Sequence, residues 1–307
     1  MSFRRGSLAA LSMLAMAGLI AAPVAGAAKS KKKKLGSLTI VSATANSPGA
    51  VTPGPLSATA TCPFGRALSG GFEATGPAGS LAPEIIESSR VGENGWRAAF
   101  LPTAEGQSIL AEVYCAKVKG SINTVAASQQ LGTGLLASAA PTATCPQGRR
   151  LLSGGFQNAV GNPTSAPTAY PTANRMAQPN AWQAAFLRGT PAAADQLTVY
   201  AYCRKPPKPK KSAKGKRKKV KTLPRILTEV AASAQTPASD GAQATATTPA
   251  CSGKRRGVAG GFTTPLSLDN AAVVQQARFL NGAWNVRVEQ LSTTPTGGSF
   301  TAHEYCG

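Results

Sequence analysis

Apolar residues alternate with polar or small residues over short runs of this chain, and no long amphipathic helical period is visible. Alternation with a period of two is typical of β-strands, and the frequent glycine, proline, serine and threonine favour turns between them. For the first part of the chain the pattern predicts strands at residues 38–45, 58–62, 66–74, 84–91, 96–101 and 109–116. We therefore expect an all-β protein.

One sequence pattern occurs three times, and we call the copies repeats 1, 2 and 3. Each copy has a cysteine, a short turn and a Gly-Gly-Phe sequence, at residues 62–72, 145–156 and 251–262. A lone tryptophan follows, and each copy ends in Tyr-Cys. The aligned copies set the modules at residues 38–117, 122–204 and 226–307. We expect three tandem, small, antiparallel β-sandwich-like modules, with a β-prism-like arrangement as the alternative.

The six cysteines allow many pairings, but the repeat selects one set, in which each repeat is closed by its own disulfide. The pairs are Cys62 with Cys115, Cys145 with Cys203, and Cys251 with Cys306. On the loop-entropy model each closure contributes about 4 kcal/mol to stability. The alternative of three free or metal-bound thiol pairs lacks the close C-x-x-C spacing of zinc sites.

The first 27 residues are typical of a secretory signal peptide. Arg4 and Arg5 precede an apolar run from Leu8 to Ile20, and Ala25-Gly-Ala27 fits the cleavage rule. A retained N-terminal anchor is the alternative, although the apolar run is short for a membrane span. We expect a soluble, secreted or envelope-associated mature protein, and an oxidising compartment of that kind favours disulfides.

The strand that carries the Gly-Gly pair predicts a tryptophan contact. Leu68, Gly70 and Phe72 share one face, so that face has a gap at its centre. We expect Trp96 to lie over Gly70, and by equivalence Trp182 over Gly154 and Trp284 over Gly260. The alternative is that the Gly-Gly pair only marks a β-bulge.

The formal net charge of +21 is concentrated in two segments, and the modules themselves are nearly balanced. One is the basic N-terminal segment at residues 28–37, and the other is the Lys/Pro-rich linker at residues 205–225. Lysine runs bind polyanions through counterion release without needing a fold. An extended spacer is the alternative. The expected polyanion-binding residues are Lys31, Lys32, Lys33, Lys34, Lys208, Lys210, Lys211, Lys214, Lys216, Arg217, Lys218, Lys219 and Lys221.

The connections between the repeats differ in length. Only a few residues separate repeats 1 and 2, so we expect these two to pack together. The linker before repeat 3 is long, and its charge and proline prevent collapse. We expect repeat 3 to be tethered rather than docked, which argues against one closed prism.

No catalytic or metal-binding constellation recurs in the repeats, so we expect no enzyme activity, no metal and no cofactor. The single histidine, His303, is expected at the surface of a terminal strand. Glu84 and Glu87 are three apart on a strand and are expected on opposite faces. Asp195 is the lone acid of repeat 2. Neither a histidine cluster nor an aspartate-rich loop suggests a metal ion.

Two recurring features are candidates for weak binding. Tyr114, Tyr202 and Tyr305 precede the closing cysteines and could stack on a sugar ring, although packing under a neighbouring loop is favoured. A basic turn follows the first cysteine of each repeat and is either solvated or in contact with an anion. Its cations are Arg66, Arg149, Arg150 and Lys254 to Arg256.

The Cys-Pro-x-Gly opening, the Ser-Gly-Gly-Phe strand, the tryptophan strand and the Tyr-Cys close resemble repeats in small exported proteins of high-GC Gram-positive-type bacteria. Thr61–Phe72 and Thr144–Phe156 match well, and repeat 3 departs at Ser252 and Ala259. The resemblance implies an exported β-rich protein and carries no established activity. Cys-Pro-x-Gly followed by glycines, in a chain with a threefold repeat, is also similar to the vitelline membrane outer layer β-prism.

These observations favour a non-enzymatic exported protein held to the cell envelope or extracellular matrix by its lysine-rich segments. The expected partners are anionic cell-wall polymer, acidic polysaccharide or an anionic lipid surface, with weak glycan contacts by the modules. An extracellular nucleic-acid-binding protein is the first alternative. A hydrolase with a site between modules is the second.

Overall fold

The structure is a computed structural model, and it describes residues 33–35, 38–47, 54–77, 80, 82–118, 120–159, 169–205, 227–253, 255–267, 270–292 and 297–307. The signal-peptide region, Lys31, Lys32, Lys254 and the linker cations from Lys208 to Lys221 lie outside these residues. Lys31–Gly307 forms one compact unit. Among the described residues, no helix has the length and hydropathy that a membrane span requires.

The described secondary structure is all-β, as expected. A short strand β1 (Lys33–Leu35) precedes repeat 1. Repeat 1 contains β2 (Leu38–Asn46), β3 (Leu56–Thr61), β4 (Arg66–Thr75), β5 (Glu84–Val91), β6 (Gly95–Leu101) and β7 (Ser108–Ala116). Repeat 2 contains β8 (Ile122–Leu131), β9 (Ser138–Ala139), β10 (Thr142–Thr144), β11 (Arg150–Ala159), β12 (Ala169–Gln178), β13 (Ala181–Arg188) and β14 (Asp195–Arg204). Repeat 3 contains β15 (Thr228–Gln235), β16 (Gln243–Thr247), β17 (Gly257–Thr263), β18 (Leu266–Ser267), β19 (Asn270–Leu280), β20 (Ala283–Gln290) and β21 (Ser299–Cys306).

Each repeat has two antiparallel layers joined by its disulfide. In repeat 1 the layers are β2-β7-β4 and β3-β6-β5, and they pack on each other across the core. The predicted disulfides Cys62–Cys115, Cys145–Cys203 and Cys251–Cys306 are confirmed, with Cα–Cα distances of 5.7, 5.6 and 5.7 Å. The sandwich-like, disulfide-closed module is therefore the building block.

Every sheet continues from one repeat into another. The Gly-Gly strand of each repeat pairs with the fourth main strand of its neighbour, in the pairs β4 with β19, β11 with β5, and β17 with β12. Each repeat thus touches both others, and the three close a cycle with a β-prism-like arrangement of three sheets. The expected packing of repeats 1 and 2 is confirmed, whereas the expectation of a tethered repeat 3 is wrong. The composition of the linker predicts only how the linker itself behaves. Repeat 3 docks because strands at the edges of the repeats pair with each other.

The three Gly-Gly strands meet at the centre of this cycle. The Ser69 hydroxyl donates to the Val258 carbonyl at 2.5 Å, and the Ser153 hydroxyl donates to the Leu68 carbonyl at 2.5 Å. The equivalent position in repeat 3 is Ala259, which has no hydroxyl and is buried like the two serines. Two of three equivalent contacts at the axis are therefore hydrogen bonds.

The predicted tryptophan contact is confirmed in all three repeats. A Cβ atom placed on Gly70, Gly154 or Gly260 would lie 2.2, 2.1 or 1.9 Å from the indole of Trp96, Trp182 or Trp284. Each indole is almost fully buried. The strands do contain a bulge, but the register shifts before the glycines, between Ala67 and Ser69 in repeat 1. The first glycine is therefore a packing position rather than the bulge.

The second glycine of each pair has a different role, because it faces the neighbouring repeat. A Cβ atom on Gly71 would lie 2.5 Å from the Ala277 carbonyl oxygen, and one on Gly155 would lie 2.3 Å from that of Ser88. On Gly261 it would lie 2.2 Å from the Asn174 carbonyl oxygen. The absence of a side chain is what lets the edge strands of two repeats approach to pairing distance.

Candidate functional site: the cationic end of the body

The strand register gathers the disulfides of all three repeats at one end of the body. In repeat 1 the start of β2 pairs with Cys115, and the start of β4 pairs with Ala116. β5 runs towards this end and pairs antiparallel with β11, so Val91 lies on the same side as Arg150. The same relation holds at the other two contacts. We call the residues 62–66, 90–94, 116–118, 145–150, 204–205, 251–253 and 255–257 the cystine end.

Cations are concentrated at the cystine end. They are Arg66, Arg90, Lys117, Arg149, Arg150, Arg204, Lys205, Arg255 and Arg256. Two exposed acids lie near them, Glu93 and Glu229. The exposed acids Glu105 and Asp240 lie instead in turns at the opposite end, which we call the far end. The folded body is therefore polarised along its axis, although its total charge is nearly balanced.

The lysine-rich segments join the body at this cationic end. The linker leaves β14 after Arg204, which pairs with Ile122, and the chain returns at Thr228, which pairs with Cys306. At the N-terminal segment, Leu35 of β1 pairs with Leu38 of β2. Lys33 and Lys34 thus lie in a short edge strand rather than in a purely unstructured tether.

The basic turns are only partly neutralised. Arg66 forms a 3.0 Å ion pair with Glu93, whose side chain is 70% exposed, so the pair contributes little energy. Arg90 donates to the Glu93 carbonyl, and burial lowers its pKa. Burial also lowers the pKa of Arg204. An arginine pKa lowered from so high a value leaves the group charged at neutral pH.

The three tyrosines are buried between repeats, so the sugar-stacking interpretation is wrong. The hydroxyls of Tyr114, Tyr202 and Tyr305 accept hydrogen bonds from the backbone amides of Phe279, Arg90 and Met176, at 2.9, 2.7 and 2.8 Å. Each donor belongs to the neighbouring repeat. Each ring also meets the tryptophan of that neighbour, at centroid distances of 6.2, 5.6 and 5.3 Å. Burial raises the pKa of all three tyrosines.

An ion network spans the contact between repeats 1 and 3. Arg278 pairs with Glu73 at 2.6 Å and with Glu112 at 2.9 Å, and Arg287 pairs with Glu73 at 3.2 Å. Burial raises the pKa of Glu112, and the adjacent Arg278 opposes that shift. Because the two carboxylates belong to repeat 1 and the two arginines belong to repeat 3, these ion pairs join the two repeats.

The prediction for Glu84 and Glu87 is wrong. The register shifts between Ile85 and Glu87, so Glu84 pairs with Leu101 and Glu87 pairs with Ala99. Positions 99 and 101 share a face, and a bulge therefore brings both glutamates to the same side of the sheet. Glu87 forms a 2.9 Å ion pair with Arg97. Burial raises the pKa of Tyr170 to about 12, and the nearby charge of Glu84 adds to this shift.

His303 is buried rather than at the surface. It lies on β21 between β15 and β17, and its Nδ1 meets the Glu229 carboxylate while its Nε2 lies 3.2 Å from the Thr263 hydroxyl. Burial lowers the pKa of His303, so the neutral imidazole dominates at neutral pH. Arg175 of repeat 2 is close enough to influence this titration. The result is a hydroxyl, an imidazole and a carboxylate in hydrogen-bonding sequence.

A second cluster in repeat 3 joins Glu304 to Cys251 and Cys306. The two cysteines form a disulfide, so they cannot act as thiolate ligands while it is intact. Glu304 accepts hydrogen bonds from the Thr248 hydroxyl at 2.6 Å and the Trp284 amide at 3.2 Å. Burial raises the pKa of Glu304. Its other oxygen lies 3.1 Å from Cys251 Sγ, a contact that is favourable when the carboxyl carries a proton.

Sequence reasoning located the disulfides and the tryptophans, but it did not find the contacts between repeats. The signals were present as the second glycine of each pair and the tyrosine before each closing cysteine. The chain matches no protein-family model, and no curated protein matches it. The resemblance to exported bacterial repeat proteins stays a prediction.

Proposed function

We propose that this is an exported, non-enzymatic protein that associates with the cell envelope or extracellular matrix by binding anionic polymers. The observation that carries the proposal is the polarised charge of the body, with cations at the cystine end and the exposed acids Glu105 and Asp240 at the far end. The linker, which contains most of the lysines, joins the body at that same cationic end.

The proposed mechanism is avidity between flexible and fixed cations. The lysines of the linker provide strong, non-selective attraction through counterion release. The fixed arginines of the basic turns lie beside the points where the linker is attached, so both sets reach one polyanion together. The protein thereby presents its cystine end to the polymer and its far end outward.

Charge removal in the linker tests this proposal. We expect full-length protein with the linker cations from Lys208 to Lys221 replaced by serine to lose most of its retention on purified anionic wall polymer, together with most of the salt dependence. The control replaces Glu105 and Asp240 by glutamine and asparagine, so that charge is removed at the far end and the cystine end is unchanged. If the linker variant is retained on the polymer as well as the wild type at low salt, the linker is only a spacer and does not bind the polymer.

An extracellular nucleic-acid-binding protein would use the same lysines and show the same salt dependence. Competition between purified wall polymer and double-stranded DNA for the protein separates the two functions. Preferential displacement by DNA would favour the nucleic-acid alternative.

A hydrolase is the other candidate, and the Thr263, His303 and Glu229 arrangement favours it. In such an enzyme Thr263 would be the nucleophile, His303 the base and Glu229 the group that orients the imidazole. Hydrolysis of an activated ester by the wild-type protein, abolished by Thr263→Val and by His303→Gln, would support this function. Equal background rates in all three proteins would remove it.

A further inference from the structure

Two exposed apolar side chains lie among the cations of the cystine end. Phe64 is 43% exposed and Val91 is 39% exposed. Phe64 stands in the cysteine turn, and Val91 begins the turn between β5 and β6. Hydrogen bonds from the Cys62 amide to the Asn94 carbonyl and from the Ala67 amide to the Glu93 carbonyl join these two turns. The two turns that carry these side chains therefore lie side by side at the cystine end of repeat 1.

The fold does not require a phenylalanine at position 64. Counted from the cysteine, the corresponding residues are Gln147 in repeat 2 and Gly253 in repeat 3, and both of those repeats form the same disulfide. Large exposed apolar residues carry a cost in water, and an exposed apolar side chain that lies beside a cation is a feature of contact surfaces. Phe64 is thus an addition to the repeat rather than part of its core.

The surrounding charges indicate the kind of partner. Lys117 Nζ lies 5.9 Å from the centre of the Phe64 ring, and Arg66 follows in the same turn. A polymer of acidic sugars offers negative charge without an apolar phase, whereas a membrane interface offers both. Val91 is aliphatic and cannot stack on a base or a sugar, so the pair is suited to entering an acyl boundary.

We propose that the cystine end of repeat 1 docks on an anionic lipid surface. Phe64 and Val91 enter the headgroup region, and Lys117 contacts a lipid phosphate. Arg66 contacts a second phosphate when it exchanges its exposed ion pair with Glu93 for the lipid. This inference rests on the proposed function and narrows its partner from anionic polymers in general to an anionic bilayer.

Binding to vesicles of phosphatidylglycerol and phosphatidylcholine, compared with pure phosphatidylcholine, is the first measurement. We expect Phe64→Ser to weaken binding to the anionic vesicles by about fivefold. The wild-type ring transfers its exposed apolar surface from water into the bilayer, and serine has no such surface to transfer. The matched control is Leu135→Ser, because Leu135 is 47% exposed and lies at the far end. The control should bind like the wild type.

A reporter tryptophan tests insertion directly. Trp96, Trp182 and Trp284 are at most 2% exposed, so they should be little affected by quenchers in a bilayer. In Phe64→Trp we expect strong additional quenching by brominated lipids, and in Leu135→Trp we expect none. A shared melting temperature among the variants shows that they fold alike.

Any one of the following outcomes would overturn the inference. Absence of extra quenching in Phe64→Trp does so, and so does wild-type affinity of Phe64→Ser for anionic vesicles. An equal loss of vesicle, wall-polymer and DNA binding in Phe64→Ser would mean that the ring acts only through Lys117. If the wild type binds wall polymer but not vesicles, the proposed function stands and the lipid contact falls. If it binds neither, both fall.

Discussion

The contact between repeats 1 and 2 and the contact between repeats 2 and 3 are built alike, although their connections differ greatly. A few residues join the first pair, whereas a long lysine-rich linker joins the second. In both, a Gly-Gly strand pairs with a neighbouring strand, and a buried tyrosine hydroxyl accepts from a neighbouring backbone amide. Docking is therefore determined by the repeat itself and is independent of connection length.

Folding within a repeat and assembly between repeats depend on different residues of the same strand. Gly154 leaves space for Trp182 of its own repeat, whereas Gly155 leaves space for the Ser88 carbonyl of the neighbour. Two adjacent residues on opposite faces of one strand thus serve the two purposes.

The largest expected effect comes from filling the space of the second glycine. Gly155→Ala and Gly261→Ala each place a methyl group about 2 Å from a backbone carbonyl oxygen, which the strand can relieve only by moving. We expect each to lose about 3 kcal/mol of stability in denaturant unfolding. The control is Gly134→Ala, because its added Cβ meets nothing within 4 Å.

The two glycine variants test whether the contact between repeats 1 and 2 and the contact between repeats 2 and 3 contribute equally to stability. Equal losses agree with equivalent contacts. A large loss for Gly155→Ala together with an intact, thermally unaltered Gly261→Ala protein would show that the contact of repeat 3 is weaker than its geometry indicates.

Removal of one hydroxyl gives the next effect. Tyr202→Phe and Tyr305→Phe each leave a partly buried backbone amide, of Arg90 and Met176, without its tyrosine acceptor. We expect each variant to lose about 1–2 kcal/mol in thermal or denaturant unfolding. Tyr200→Phe is the control, since its half-buried hydroxyl donates to the side chain of Gln157 in its own repeat and binds no backbone amide of a neighbour among the described residues. A loss as large in the control would remove the special role of the contact between repeats.

Much of each repeat could be predicted from the sequence, because it depends on local patterns. Alternation located the strands of repeat 1 to within two residues, and triplication selected the cysteine pairs. The contacts between repeats could not be derived from the same patterns. A glycine that faces a core and one that faces a neighbouring strand look identical in a sequence.

The misplaced side chains have the same kind of cause. One bulge residue, Ile86, reverses the parity between Glu84 and Glu87. His303 was expected at the surface because β21 is terminal in the chain, yet the sheet places it between β15 and β17. Neither the bulge nor the strand order is encoded in the period of two.

Repeat 3 differs from repeats 1 and 2 inside its own core, where Glu304 stands in place of Val113 and Ala201. Burial raises the pKa of Glu304 above its unfolded value, so its contribution to stability is present at acidic pH and is lost as pH rises through the folded pKa. We expect Glu304→Gln to gain about 1 kcal/mol at neutral pH and to remove this pH dependence. Melting temperature measured against pH gives both results, and parallel curves for the two proteins would contradict them.

The axis of the cycle allows a smaller gain. Ala259→Ser supplies the third hydroxyl, which by equivalence with Ser69 and Ser153 would donate to the Leu152 carbonyl. We expect stabilisation of about 0.5–1 kcal/mol. Ser153→Ala should lose a similar amount. Destabilisation by Ala259→Ser would show that the axis is not equivalent in its three contacts.

The smallest expected effect follows from exchanging the linker. We replace residues 206–225 by a neutral glycine-serine segment of equal length in the full chain. Loop entropy depends on length and only weakly on composition, and the contacts of repeat 3 are unchanged, so stability should shift by less than about 0.5 kcal/mol. Binding to anionic polymer should fall sharply in the same protein. A marked loss of stability, or release of repeat 3 seen as a separate unfolding transition, would mean that the linker contributes to docking after all.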